Sequence, residues 1–142
     1  MDVSYNMVGP ALALGLSCLG SAIGCGIAGM ASHGVMSRVE EGHGKFIGMS
    51  AAPSSQAIYG FILMLVMSQN IPGKLSPIDG MAIGLFSGLA IMISAIFQGK
   101  CAATAIQASA KQPSIFGKCF AAIGIVESFA LFAFVFPLML MG

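Results

Sequence analysis

Residues 15–26 read GLSCLGSAIGCG, and residues 88–99 read GLAIMISAIFQG. A shift of 73 pairs Gly15-Leu16 with Gly88-Leu89, Ser21-Ala22-Ile23 with Ser94-Ala95-Ile96, and Gly26 with Gly99. The same shift, with no gap, sets Gly44-Lys45 on Gly117-Lys118 and Ser55 on Ser128. Composition alone does not hold one register across four segments. The chain is a tandem duplication, and the nature of the duplicated unit decides the fold.

The unit follows from the polar breaks. SRVEEGHGK at 37–45, SQNIPGKLSP at 68–77 and KQPSIFGK at 111–118 separate apolar segments near 7–36, 46–67, 78–110 and 116–141. Each can cross a hydrocarbon core of about 30 Å, which takes about 20 helical residues. Only helices and closed barrels satisfy their backbone groups within lipid. No strict alternation of apolar and polar residues runs through these segments, so they are helices. The first and third are longer than a crossing needs, so they tilt or extend beyond the membrane. The expected fold is an all-α membrane protein of four spans, built as two tandem helical hairpins, 1–73 and 74–142. Two spans per unit keep the copies parallel rather than inverted.

Composition agrees. The chain is 57% hydrophobic and 8% charged, against about 25% charged in soluble domains. That leaves too little polar surface for a soluble globule. A net charge of +1 gives no reason to expect nucleic acid or an acidic substrate. Asp2 opens the chain and no Lys or Arg precedes Arg38, so the basic start of a cleaved signal peptide is missing. The first apolar segment is also too long for such a leader, and insertion is expected through the spans themselves. Arg38, Lys45, Lys100, Lys111 and Lys118 lie at or near the first and third turns, and Lys74 alone lies in the middle one. This bias puts the first and third turns in the cytoplasm and both termini outside. Cys18, Cys25, Cys101 and Cys119 have no metal-binding spacing and are read as small buried hydrophobes. His33 and His43, beside the first turn, are read as solvated or partner-facing.

One residue breaks the apolar pattern. In IGIVESFALF, 123–132, Glu127 stands among apolar and small neighbours. It lies about 16 Å of helix from Phe116, near mid-membrane. A charge there costs at least about 2.5–3.5 kcal/mol, so an intramembrane carboxylate points to function. The repeat sets Glu127 on Ser54 and Gln98 on Cys25, so one ionisable group serves four helices. The second span contains PSSQAIYGF, 53–61. Pro53 lacks an N–H and clashes with the preceding turn, which frees one or two carbonyls at or near 49–52. Ser55, Gln56 and Tyr59 follow, and the third span adds Gln98. The set is rich in oxygen, the ligand of hard cations. One carboxylate balances one monovalent cation. Other readings of the helpers stay open: Ser55 can bond its own helix, and the two glutamines can bridge helices. Tyr59 lies mid-span and its hydroxyl needs a buried partner, for which Glu127 is the natural candidate.

The glycines carry a further signal. Gly20-x-x-x-Gly24 and Gly80-x-x-x-Gly84-x-x-x-Gly88 allow close helix approach, while the second and fourth spans are bulkier. Thin helices inside and thick ones outside suit a ring. A compact bundle could use the same glycines, and periodicity does not separate the two.

Taken together, the duplicated hairpin, the glycine-rich first and third spans, PSSQAIYGF, FQGK at 97–100 and IVESFALF at 125–132 resemble the proteolipid (rotor-ring, c-type or K) subunit of V-type ATPases. The resemblance covers essentially the whole chain. It implies a homo-oligomeric membrane ring that turns against a static partner, with a carboxylate carrying Na⁺ or H⁺. By position that carrier is Glu127. The bacterial sodium-binding pattern implies ligands from Gln56, Gln98, Ser55 and the backbone carbonyl of Ala52, with Tyr59 hydrogen-bonded to the carboxylate. Ser55 stands where that pattern has Thr, keeping the hydroxyl and losing a methyl. The resemblance further implies a stator arginine facing Glu127, central-stalk contacts at turns 37–45 and 111–118, surrounding lipid, and a bacterial cell membrane. No phosphate-binding loop is present, so the chain is expected to bind no nucleotide and catalyse nothing itself. The competing readings are a small glutamate-dependent secondary transporter acting as a dimer, and a structural membrane protein with a buried polar cluster.

Overall fold

The computed structural model describes residues 5–142; Asp2, named above in the reading of the N-terminus, lies outside them. Helix α1 is Val8–Met36, led by a 3-10 turn at Tyr5–Met7. Helices α2 (His43–Ala51) and α3 (Ser55–Asn70) are joined by a 3-10 turn at Ala52–Ser54. Helix α4 is Pro77–Lys111, and a 3-10 turn at Pro113–Ile115 leads into α5, Phe116–Met141. These form four spans, Tyr5–Met36, His43–Asn70, Pro77–Lys111 and Pro113–Met141, each long and apolar enough to cross a membrane. The second span extends at both ends beyond its apolar run. The turn before it closes on Gly42, whose φ of 81° is left-handed and favours glycine. Helix α4 starts sharply because Ser76 accepts the Asp79 N–H at 3.2 Å and Pro77 takes the first helical position.

The first and third turns share one end of the molecule, where Glu40, Lys45, Pro113 and Phe116 line one cavity of about 560 Å³. The middle turn meets the end of α5, where Lys74 Nζ donates to the carbonyls of Met141 (3.3 Å) and Gly142 (3.2 Å). A cation on the last carbonyls of a helix complements its dipole.

Glycine decides the layering. A Cβ on Gly9 or Gly84 would strike the backbone of the other helix, and one on Gly20 would lie 2.5 Å from the Met92 Cα. Gly24 is pressed on Ala95, and Gly99 on Gly24. Helices α1 and α4 therefore pack backbone to backbone, side by side and parallel, as the repeat requires. Helix α3 lies on α1 through Gly60 against Ser17, and α5 lies on α4. The apolar stretch of α5 is 11% buried, against 28% in the second span and 33% in α1 and α4, so α5 is the most exposed of the four. The thin helices form the inner pair and the thick ones the outer.

The apolar core is split. One cluster holds Ala13, Leu63, Met67, Ile91 and Ala130; the other holds Ala28, Phe46, Met49, Ala102, Ile106 and Ile123. Between them lies a polar layer centred on Glu127. The four cysteines are free thiols but less buried than expected: Cys18 is exposed, and the other three are half-buried. Cys101 and Cys119 pack against the second apolar cluster.

Candidate ion-binding site

Helix α5 sets Glu127 eleven residues from its start and fourteen from its end, about 16 and 21 Å along the axis. The side chain is half-buried. Two hydroxyls from α3 converge on one carboxylate oxygen: Ser55 Oγ donates to Oε1 at 2.6 Å, and Tyr59 OH donates to it at 2.7 Å. Ser55 and Tyr59 are four residues apart and so share a helix face. The Tyr59 ring is fixed by stacking on Phe134, with centroids 5.5 Å apart.

The other oxygen faces α4. Gln98 Nε2 reaches Oε2 at 3.4 Å and the Ile123 carbonyl at 3.3 Å. Gln98 Oε1 accepts from Gln56 Nε2 at 2.7 Å. Both glutamines are fully buried. Gln56 Oε1 lies 3.2 Å from Ser55 Oγ, as does the Ala52 carbonyl. The hydroxyl has one proton and three acceptors in reach, and the shortest contact goes to the carboxylate.

Every residue expected at the site is thus brought to one place, from α3 and its leading turn, α4 and α5. The backbone around Pro53 differs from expectation. The carbonyl that Pro53 releases is not left open. The chain tightens into a 3-10 turn, in which the Ala52 N–H takes the Met49 carbonyl and the Ser55 N–H takes the Ala52 carbonyl. Ser54 Oγ takes the Ala51 carbonyl at 2.7 Å. The missing proline N–H is offset by shorter-range bonds. Ala52 O still has a second lone pair, directed at Ser55.

One neighbour was not expected from the sequence. Ser94 Oγ donates to the Val126 carbonyl at 2.9 Å, one residue before Glu127. Its sequence signal is weak: it stands out only as a matched serine within the repeat.

Among the described residues no group of three or more His, Cys, Asp or Glu could hold a metal ion. The donors here are one carboxylate and neutral oxygens, a set suited to a hard monovalent cation or to a proton on the carboxylate. A cation held here would need such oxygens in place of its hydration shell.

A family model described as the ATP synthase C subunit matches twice, over residues 8–67 and 81–140. The chain belongs to that family. The second match begins 73 residues after the first, the shift of the sequence repeat. Among curated proteins, the chain is 36% identical over 134 residues to the A-type ATP synthase subunit K of Methanocaldococcus jannaschii, covering 94% of this chain and 60% of that protein. It is 30% identical over 146 residues to the V-type sodium ATPase subunit K of Enterococcus hirae, covering 96% of this chain and 89% of that one. The chain thus spans less than two thirds of the archaeal relative and most of the bacterial one.

Proposed function

We propose that this chain is the rotor-ring proteolipid of a V- or A-type ATPase, and that it carries one Na⁺ per chain on Glu127, with H⁺ as the alternative cargo. The observation that carries the reading is the mid-span carboxylate held by Ser55, Tyr59 and Gln98 between two apolar clusters. The sodium relative named above supports Na⁺ as the cargo.

In the lipid-facing position Glu127 is neutralised. A proton on the carboxyl does this directly. Na⁺ does it by taking Glu127, Ser55 Oγ, Gln56 Oε1, Gln98 Oε1 and the Ala52 carbonyl as ligands, while Tyr59 goes on donating to Oε1. At the stator, a fixed cation of the partner, an arginine by resemblance, competes for the carboxylate and releases the ion. Rotation then returns Glu127 to lipid. The central stalk docks at the cytoplasmic turns 37–45 and 111–118, so torque from a soluble ATPase head reaches the ring. The chain binds no nucleotide in this scheme.

The free glycines support the ring. Gly15, Gly26, Gly29 and Gly34 of α1 meet nothing within 4 Å, while Gly9, Gly20 and Gly24 are used within the chain. One side of α1 therefore stays uncovered, with Leu19, Ile23 and Met30 exposed beside these glycines, and is open to the next copy.

The test is modification of Glu127 by a hydrophobic carbodiimide, which attacks the protonated carboxyl. Millimolar Na⁺, but not K⁺, is expected to protect wild type, and Glu127→Gln is expected to abolish both labelling and ion transport. Labelling that follows pH alone would make the rotor a proton carrier. Transport that survives Glu127→Gln would sink the reading.

A further inference from the structure

We infer that Ser94 is a positioning residue for Glu127, acting through the backbone of α5 rather than through the ion. Helical serines ordinarily donate to a carbonyl of their own preceding turn. In this chain Ser17, Ser68 and Ser109 do so, to Ala13, Met64 and Ala105, each at 2.7 Å. Ser94 instead crosses from α4 to the Val126 carbonyl of α5. As a helix carbonyl, Val126 O already serves the Ala130 N–H, so Ser94 adds a second donor from another helix.

Gln98, one turn further along α4, crosses to the Ile123 carbonyl. In helix geometry that carbonyl is the acceptor of the Glu127 N–H itself. Helix α4 thus grips α5 at two carbonyls, one and four residues before Glu127. Two points on adjacent turns fix both the rotation and the height of α5. The carboxylate then falls where Ser55 and Tyr59 can donate to it. Gln98 also touches Glu127 directly, whereas Ser94 has no bond to the carboxylate. The Ser94 bond can therefore persist while the carboxylate exchanges its ion.

The duplication supplies an internal control. Ser21 is the repeat mate of Ser94, in the same SAI triplet. It is equally buried, 6% exposed against 5%. The mate of Val126 is Pro53, in the 3-10 turn packed on α1 at Gly24. Yet Ser21 Oγ finds no partner. Packing of the thin helices is common to both copies. The cross-helix bond is made only beside the carboxylate. If the serine served packing alone, the two copies would treat it alike.

This inference rests on Glu127 as the ion carrier, and the experiment separates the two. The assembled complex is prepared as wild type, Ser94→Ala, Ser94→Thr and Ser21→Ala. Carbodiimide labelling of Glu127 is followed against Na⁺ concentration, together with the KM for Na⁺ and kcat of Na⁺-stimulated ATP hydrolysis. A helix-to-helix hydrogen bond in lipid contributes enough to change an equilibrium by about 3- to 20-fold. Ser94→Ala is expected to raise the half-protecting Na⁺ concentration and the KM by that factor, with kcat less affected. Ser94→Thr keeps a hydroxyl and is expected to restore most of the loss. Ser21→Ala is expected to match wild type. A Ser94→Ala complex that protects like wild type, or that is only less abundant or less heat-stable, overturns the inference and leaves Glu127 as carrier. An equal shift in Ser21→Ala overturns it too, because the effect would then be packing. Wild type that resists labelling at every pH removes the carrier reading and the inference together.

Discussion

At the scale of single residues, the division of labour around Glu127 turns on which oxygen each donor meets. Oε1 takes both α3 hydroxyls; Oε2 takes the α4 amide. Tyr59→Phe removes one donor from Oε1 and keeps the ring stacked on Phe134. The loss is expected at about 0.6–1.7 kcal/mol, the range for hydrogen bonds between membrane helices. It should appear as a rise of roughly 3- to 20-fold in the Na⁺ concentration that protects Glu127 from carbodiimide. Unchanged protection would mean that the phenol is a packing group and its hydrogen bond incidental. The chemistry of this cluster was legible in the sequence, because a carboxylate, two amides and two hydroxyls are conspicuous in apolar segments. The bond from Tyr59 to Glu127 was legible too; the partners of the other donors were not. Ser94 shows why: a serine on an apolar face has several carbonyls in reach, and only packing selects among them. Pro53 shows it for the backbone. The residue type announces a break, but the 3-10 turn that re-uses the Met49 and Ala52 carbonyls depends on the helix resuming at once.

At the scale of helices, glycine spacing announced close packing without saying which face packs on what. The structure divides α1 into a side spent on α4 and α3 and a side left open. That division gives a paired prediction. A Cβ at Gly24 would strike the Ala95 carbonyl and lie 2.9 Å from the Pro53 Cβ. Backbone cannot yield as a flexible side chain can, so Gly24→Ala is expected to cost about 1–3 kcal/mol in the chain itself. It should lower the thermal stability of the complex. It should also weaken Na⁺ protection, because Pro53 leads directly into Ser55 and Gln56. Gly26 has nothing within 4 Å. Gly26→Leu should leave each chain folded by circular dichroism but disturb assembly, seen as loss of the large oligomer in native mass measurements. A Gly26→Leu oligomer of wild-type mass would show that this side of α1 does not face another copy.

At the scale of the whole molecule, the duplication creates two hairpins and keeps one mid-span carboxylate, so under the proposed function ions moved per turn equal chains rather than hairpins. Moving one charge takes about 2.3 kcal/mol per 100 mV. A rotor with half as many carriers divides the same driving energy among half as many ions. Each can then be driven against about twice the potential. This consequence holds only if the first hairpin cannot act as a site. Its mate of Glu127 is Ser54, and the mates of the helpers are Cys25 for Gln98, Ser128 for Ser55, Phe129 for Gln56 and Phe132 for Tyr59. In a ring, that second place would draw on α1 and the 3-10 turn before α3 of one chain and α5 of the next. It keeps one hydroxyl and offers two phenyl rings and a thiol where the working site has two amides and a phenol. A carboxylate alone would gain a charge there without ligands to replace the water around a cation. Ser54→Glu placed in a Glu127→Gln background is therefore expected to restore neither transport nor Na⁺-sensitive labelling. Labelling that depends on pH but not on Na⁺ would fit, since a bare carboxyl can still take a proton. Recovery of Na⁺ protection would mean that Gln56, Gln98 and Tyr59 are dispensable. The cargo would then be selected by the carboxylate and the fold alone.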